Sequence, residues 1–86
     1  MTEAGLEIGR RGQALYDQTI RAQVEGENRG KFLILDVNTG EYEIDAEDLV
    51  ASERLLARRA DAVLFGVRIG FPTAYRLGGR REGKSL

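Results

Sequence analysis

The sequence predicts a small α+β domain with the order helix, strand, strand, helix, strand. Three observations carry this: two apolar runs flank Asn38-Thr39-Gly40, an amphipathic stretch follows them, and a third apolar run closes at Gly70-Phe71-Pro72. Near the start, Ile8, Leu15, Tyr16, Ile20 and Val24 recur at helical spacing, with Thr19 and Ala22 filling the stripe. A helix is therefore expected from Leu6 or Arg10 to Val24. Gly9 and Gly12 weaken its first turns by about 1 kcal/mol each relative to alanine. Gly26 is its expected left-handed cap, and Gly30 releases the chain into a strand.

Lys31–Val37 is apolar on both sides, with Leu33, Leu35 and Val37 against Phe32 and Ile34, as in a strand covered on two faces. Asn38-Thr39-Gly40 then reads as a three-residue hairpin loop in which Gly40 supplies a positive φ. From Glu41 to Asp45 the pattern alternates strictly, Tyr42 and Ile44 inward and the acids outward, as on an edge strand with one wet face. Asp45 is expected to open the second helix by accepting first-turn N–H groups, with Arg58 and Arg59 at its negative end. Its buried face is read as Leu49, Ser52, Leu56 and Ala60, widened by Val50 and Leu55.

The third strand covers Ala62–Ile69, where Val63, Phe65, Val67 and Ile69 alternate with Leu64, Gly66 and Arg68. A helix between the second and third strands implies a right-handed crossover that makes them parallel. The first strand, antiparallel to the second, then lies between them, giving a two-layer domain of sheet order 2-1-3 over residues 1–77. Thr73–Leu77 is a short fourth strand or an extended arm, and residues 78–86 read as a flexible basic tail.

Composition excludes several chemistries. With no cysteine and no histidine, thiolate sites, disulfides, and the commonest metal ligand and general base are all missing. The expectation is a non-enzymatic chain with no cofactor. No apolar run approaches the roughly 20 residues of a membrane span, and the opening MTEAGLEIGRR lacks a signal-peptide core. The reading is cytoplasmic, with no membrane partner. The net charge of −1 conceals an asymmetry: residues 1–53 carry five basic and twelve acidic residues, residues 54–86 eight basic and two acidic. The simplest expectation is that the halves neutralise each other in the fold or across a dimer.

Motifs that resemble catalytic signatures fail on context. Gly78–Ser85 matches G-x-x-x-x-G-K-[ST], but a phosphate loop needs a helix after it, and only Leu86 follows. Asp36 and Thr39-Gly40 are interrupted by Val37 and Asn38, so the contiguous Asp-Thr-Gly of an aspartic protease is absent and a hairpin explains them better. Glu41 with Glu43 sits on a wet strand face, and capping accounts for Asp45 with Asp48.

The apolar content points to association. If both helices cover the face carrying Leu33, Leu35 and Val37, then Phe32, Ile34 and Leu64 need another cover, and a second copy of the chain is the simplest supplier. Candidate interface residues are Phe32, Ile34, Leu64, Arg68, Phe71 and Tyr75. Arg68 is expected to pair with Asp36 on the neighbouring strand, or else to anchor a partner. The leading expectation is a protein-interaction module, homodimeric. The alternative is a small nucleic-acid-binding regulator using Arg76, Arg80, Arg81 and Lys84, with Tyr75 and Phe71 for stacking, against a sequence pI near 5.4.

The stretches GKFLILDVNTGEYEID (Gly30–Asp45) and ASERLLARRADAVLFGVRIGFPTAYRLGG (Ala51–Gly79), preceded by LYDQTIRAQVE, resemble a group of short uncharacterised bacterial proteins. The shared pattern is GKFLxxDxxTGxYEID … RLLAR … GxRIGxP. Some members are encoded beside small proteins resembling retroviral-type aspartic proteases. The resemblance implies the regulatory or antitoxin-like member of a two-protein pair. This chain departs from the pattern at Ala60, where proline is frequent.

Overall fold

The strand expected over Lys31–Val37 forms over Phe32–Asp36 (β1) and lies inside the sheet, as its two-sided apolarity requires. The computed structural model describes the backbone of residues 3–71 and 74–77 and the side chains of residues 5–71. Around β1 are Tyr42–Asp45 (β2), Leu64–Arg68 (β3) and Ala74–Leu77 (β4), in the order β2-β1-β3-β4. Every neighbouring pair is antiparallel, so β2 and β3 run in the same direction, as the crossover argument predicts. The order 2-1-3 is thus observed, and the fourth strand extends it. The basic tail lies outside the described residues.

The helices, expected as one layer, divide between the faces of the sheet. Leu33, Leu35, Val37, Phe65, Val67 and Ile69 pack beneath Tyr16, Ile20 and Val24 of the N-terminal helix. On the other side, Ile34 and Leu64 pack beneath Ala51 and Leu55 of the helix Asp48–Arg58 (α3), with Ala62. The apolar surplus is therefore absorbed within the chain. Ile34 and Leu64, read as interface residues, are 0% and 2% exposed and need no second copy of the chain to cover them.

The N-terminal helix is longer than expected. It comprises Glu3–Leu15 (α1), a π turn at Tyr16–Ile20 and Arg21–Asn28 (α2), with helical backbone angles through both junctions. Its sheet-facing positions, Ile8, Gly12, Tyr16, Ile20 and Val24, recur every four residues. A step of four overshoots one α-turn by about 40°, which would carry the stripe off the sheet. The wider turn, in which Arg21 N–H donates to Tyr16 O, takes up the surplus. Gly26 is not the cap: it sits inside α2, and the positive φ falls at Gly30. Asn28 Nδ2 closes the last turn on Val24 O at 2.9 Å. Gly12 does more than weaken the helix. A Cβ there would come within 2.6 Å of the Cδ atoms of buried Phe65, so the residue with the best helix propensity is excluded by packing.

At the hairpin, Gly40 has φ +82°, as predicted. The loop begins one residue early because the turn closes on Asp36, whose N–H donates to Glu41 O at 2.9 Å and whose O accepts Gly40 N–H at 2.7 Å. Asp45 ends β2; its carboxylate accepts Glu47 N–H at 2.9 Å, and α3 starts three residues on with Glu47 as the cap. The buried face of α3 is Ala51, Ser52 and Leu55 with Leu56 beside them, while Leu49 is exposed. Small residues at 51 and 52 let the helix lie close to Ile34, which the larger Leu49 would prevent.

Candidate functional site

Two glycines with positive φ, Gly30 (+90°) and Gly70 (+91°), stand beside each other where β1 begins and β3 ends. Gly30 N–H donates to Ile69 O at 2.7 Å and Ile69 N–H to Lys31 O at 2.8 Å, so the two turns are tied together. The register then sets Arg68 directly across from Phe32. After Gly70, the chain presents Phe71, whose N–H donates to Arg68 O at 3.0 Å and whose side chain is 47% exposed.

The Arg68 guanidinium lies over both rings, 4.6 Å from the Phe71 centroid and 5.4 Å from that of Phe32. Its Nε donates to Gly30 O at 3.1 Å. Three contacts thus fix the group, and neither Nη has a hydrogen-bond partner among the described residues. Arg29 lies 5.9 Å over the same Phe71 ring and drapes across Gly70, where a Cβ would fall 2.7 Å from its Cγ. Lys31 adds a third exposed cation, whose Nζ donates to Asn28 Oδ1 at 3.5 Å. None of these three has a carboxylate partner among the described residues.

The arginines of α3 are disposed differently. The acidic row of β2, read as a wet face, points toward α3 and is laced to it. Arg54 bridges Glu43 and Asp45, both at 3.2 Å; Arg58 bridges Glu41 at 3.0 Å and Glu43 at 2.9 Å; Arg59 reaches Glu41 at 2.6 Å. Arg58 and Arg54 also donate to Tyr42 O (3.3 Å) and Ile44 O (3.4 Å), carbonyls that the ladder with β1 leaves on the outer rim. This blunts an edge strand that would otherwise offer acceptors to another chain. The Glu47 N–H and the Arg54 side chain hold the Asp45 carboxyl below its ordinary value, while Glu43 and Asp45 raise Arg54 and Glu41 raises Arg59. The acidic and basic segments therefore neutralise each other here within one chain.

Asp36 is 2% exposed, but its carboxylate is consumed by structure: it accepts Asn38 N–H (3.1 Å), Val63 N–H (3.1 Å) and the Thr39 hydroxyl (2.9 Å). These bonds pin the hairpin to the start of β3. The expected Arg68–Asp36 pair does not form, because antiparallel register sets Asp36 across from Leu64 and Arg68 at the other end of β1. A cleft of about 280 Å³ lies between the N-terminal helix and Val37, lined by Arg11, Ala14, Leu15, Gln18 and Thr19. Tyr16 Oη and Ser52 Oγ are buried without a partner, and burial, with Glu25 next, raises the Tyr16 phenol. Among the described residues no cluster of three acidic side chains could hold a metal ion.

Of the six candidate interface residues, Phe32, Arg68 and Phe71 are brought together on the surface, and Ile34 and Leu64 are core. The backbone of Tyr75 and Arg76 lies in β4, their side chains being outside the described set, as are Arg80, Arg81 and Lys84 altogether. Arg29 was missed. A signal for it existed in the two glycine turns flanking the paired strands, but only the register shows that they meet. Fold and surface define a small α+β domain with helices on both faces and an arginine–aromatic cluster at one end of its sheet. No family model matches the chain, and neither a curated protein nor a solved structure is significantly similar to it.

Proposed function

We propose that this chain is a non-enzymatic protein-interaction module that engages its partner through Phe32, Arg68, Phe71 and Arg29. One observation carries the reading: a guanidinium held over two rings, with no carboxylate partner among the described residues, beside an aromatic side chain that is half exposed. Arginine and large aromatic residues are enriched among the few residues that carry most of the binding energy at protein interfaces, because rings bury large area and the guanidinium donates hydrogen bonds from its edge. The resemblance to chains encoded beside aspartic-protease-like proteins supports a finer form, the regulatory member of a two-protein pair. A nucleic-acid reading draws on the same three cations and Phe71.

The test is purification of the tagged chain from its native cell, as wild type and as Phe71→Ser with Arg68→Ala. Circular dichroism should show both folded. One polypeptide retained in near-stoichiometric amount by the wild type and lost by the variant is the expected result. Equal retention by both proteins would remove this surface from the function.

A further inference from the structure

We propose that Arg68 is a carboxylate-docking group, and that the partner segment seated on it is acidic. This rests on the interaction reading and names the chemistry of the partner. Two properties of the site support it. The first is preorganisation. An exposed arginine ordinarily samples many rotamers, but here the Phe71 and Phe32 rings and the Nε bond to Gly30 O hold the guanidinium in one place. The bond to Gly30 uses the Nε edge, so what remains is the pair of Nη groups, a fork whose spacing matches the two oxygens of a carboxylate. The second is charge complementarity. Arg29 and Lys31 stand beside Arg68 without acidic partners among the described residues, whereas Arg54, Arg58 and Arg59 are all neutralised by β2. The cluster is thus a local cationic surface at the end of the sheet where β1 begins and β3 ends.

The same observations weigh against a nucleic-acid strand. Phe71 already carries two guanidiniums, so the site offers hydrogen-bond donors more than a bare stacking surface. A long polyanion also draws its affinity from many phosphate contacts along its length, more than the three cations of this cluster supply. A short acidic protein segment meets only the local cations.

The full chain, labelled with nitrogen-15, is titrated with an acetylated octaglutamate amide, with the octaglutamine analogue, and with an eight-residue oligothymidylate, all at the same low ionic strength. The expected result is saturable movement of the Arg68 Nε–Hε resonance and of the amides of Gly30 and Phe71 with octaglutamate, and none with octaglutamine. Arg68→Lys keeps the charge but removes the fork, and should weaken binding roughly tenfold. Arg54→Lys, in the neutralised ladder, should leave it unchanged. Tighter binding of the oligothymidylate, equal binding by Arg68→Lys, or no saturable binding of octaglutamate would each overturn the proposal. If octaglutamate fails while the native partner is still lost from the Phe71→Ser, Arg68→Ala variant, the carboxylate assignment falls and the interaction reading stands.

Discussion

Two groups of arginines occupy this molecule, and their surroundings differ in kind. On α3, Arg54, Arg58 and Arg59 spend their donors on Glu41, Glu43, Asp45 and the outer carbonyls of β2. At the end of the sheet, Arg68 and Arg29 lie against aromatic rings, and among the described residues the Nη groups of Arg68 have no hydrogen-bond partner. A carboxylate saturates a guanidinium, whereas a ring holds it in place while leaving its N–H edge for something else. The first group closes a sheet edge; the second leaves a cationic and aromatic surface exposed. Positive charge alone does not distinguish them, since both groups are exposed.

The contrast can be tested from its foundations outward. If α3 is held by its apolar face rather than by the ladder, Leu55→Ala, at a fully buried position, should cost about 2–5 kcal/mol in urea unfolding. A loss smaller than that from breaking the ladder would reverse this ranking. Gly70→Ala places a Cβ against Arg29 at φ +91° and should cost about 1–2 kcal/mol. It should also shift the Phe71 ring resonances, while leaving those of Glu41 and Glu43 in place. Glu43→Gln removes the acid that bridges Arg54 and Arg58, yet should cost less than about 1 kcal/mol, and nothing measurable in 1 M salt.

The smallest effect is a matter of pH. Asp45 has its folded pKa lowered from the ordinary 3.8, first by Glu47 N–H and then by Arg54. A depressed carboxylate contributes stability above its unfolded pKa and loses it as pH falls through the folded value. Carbon-detected titration should therefore place the Asp45 midpoint below 3.8. In Arg54→Ala the midpoint should rise but stay depressed, because the backbone donor remains. A midpoint that does not move would remove Arg54 from the ladder.

Much of the fold was legible because it is local. Alternation through Leu33–Val37 and Val63–Ile69 separated the two faces correctly, Gly40 marked the hairpin, and the intervening helix implied the order 2-1-3. The site was half legible. Phe32, Arg68 and Phe71 were singled out, but as part of an apolar face that proved to be covered, and Arg29 was not. For α3, two overlapping stripes share the same three-and-four spacing; Ser52 was read correctly as buried, but size favoured Leu49 in the sequence, while close packing on Ile34 chose Ala51.

What the sequence alone determined, then, is the periodicity of each element and the faces it must bury, since these follow from the backbone geometry of neighbouring residues. Only the tertiary structure decided which helix covers which face, why Gly12 must admit Phe65, and whether an arginine meets a carboxylate or a ring. Those outcomes depend on register and crossing between segments distant in sequence, from the 9 to 18 residues between the α3 arginines and their acids to the 38 between Arg68 and Gly30. Residue identity carries no record of such distances; the packed chain does.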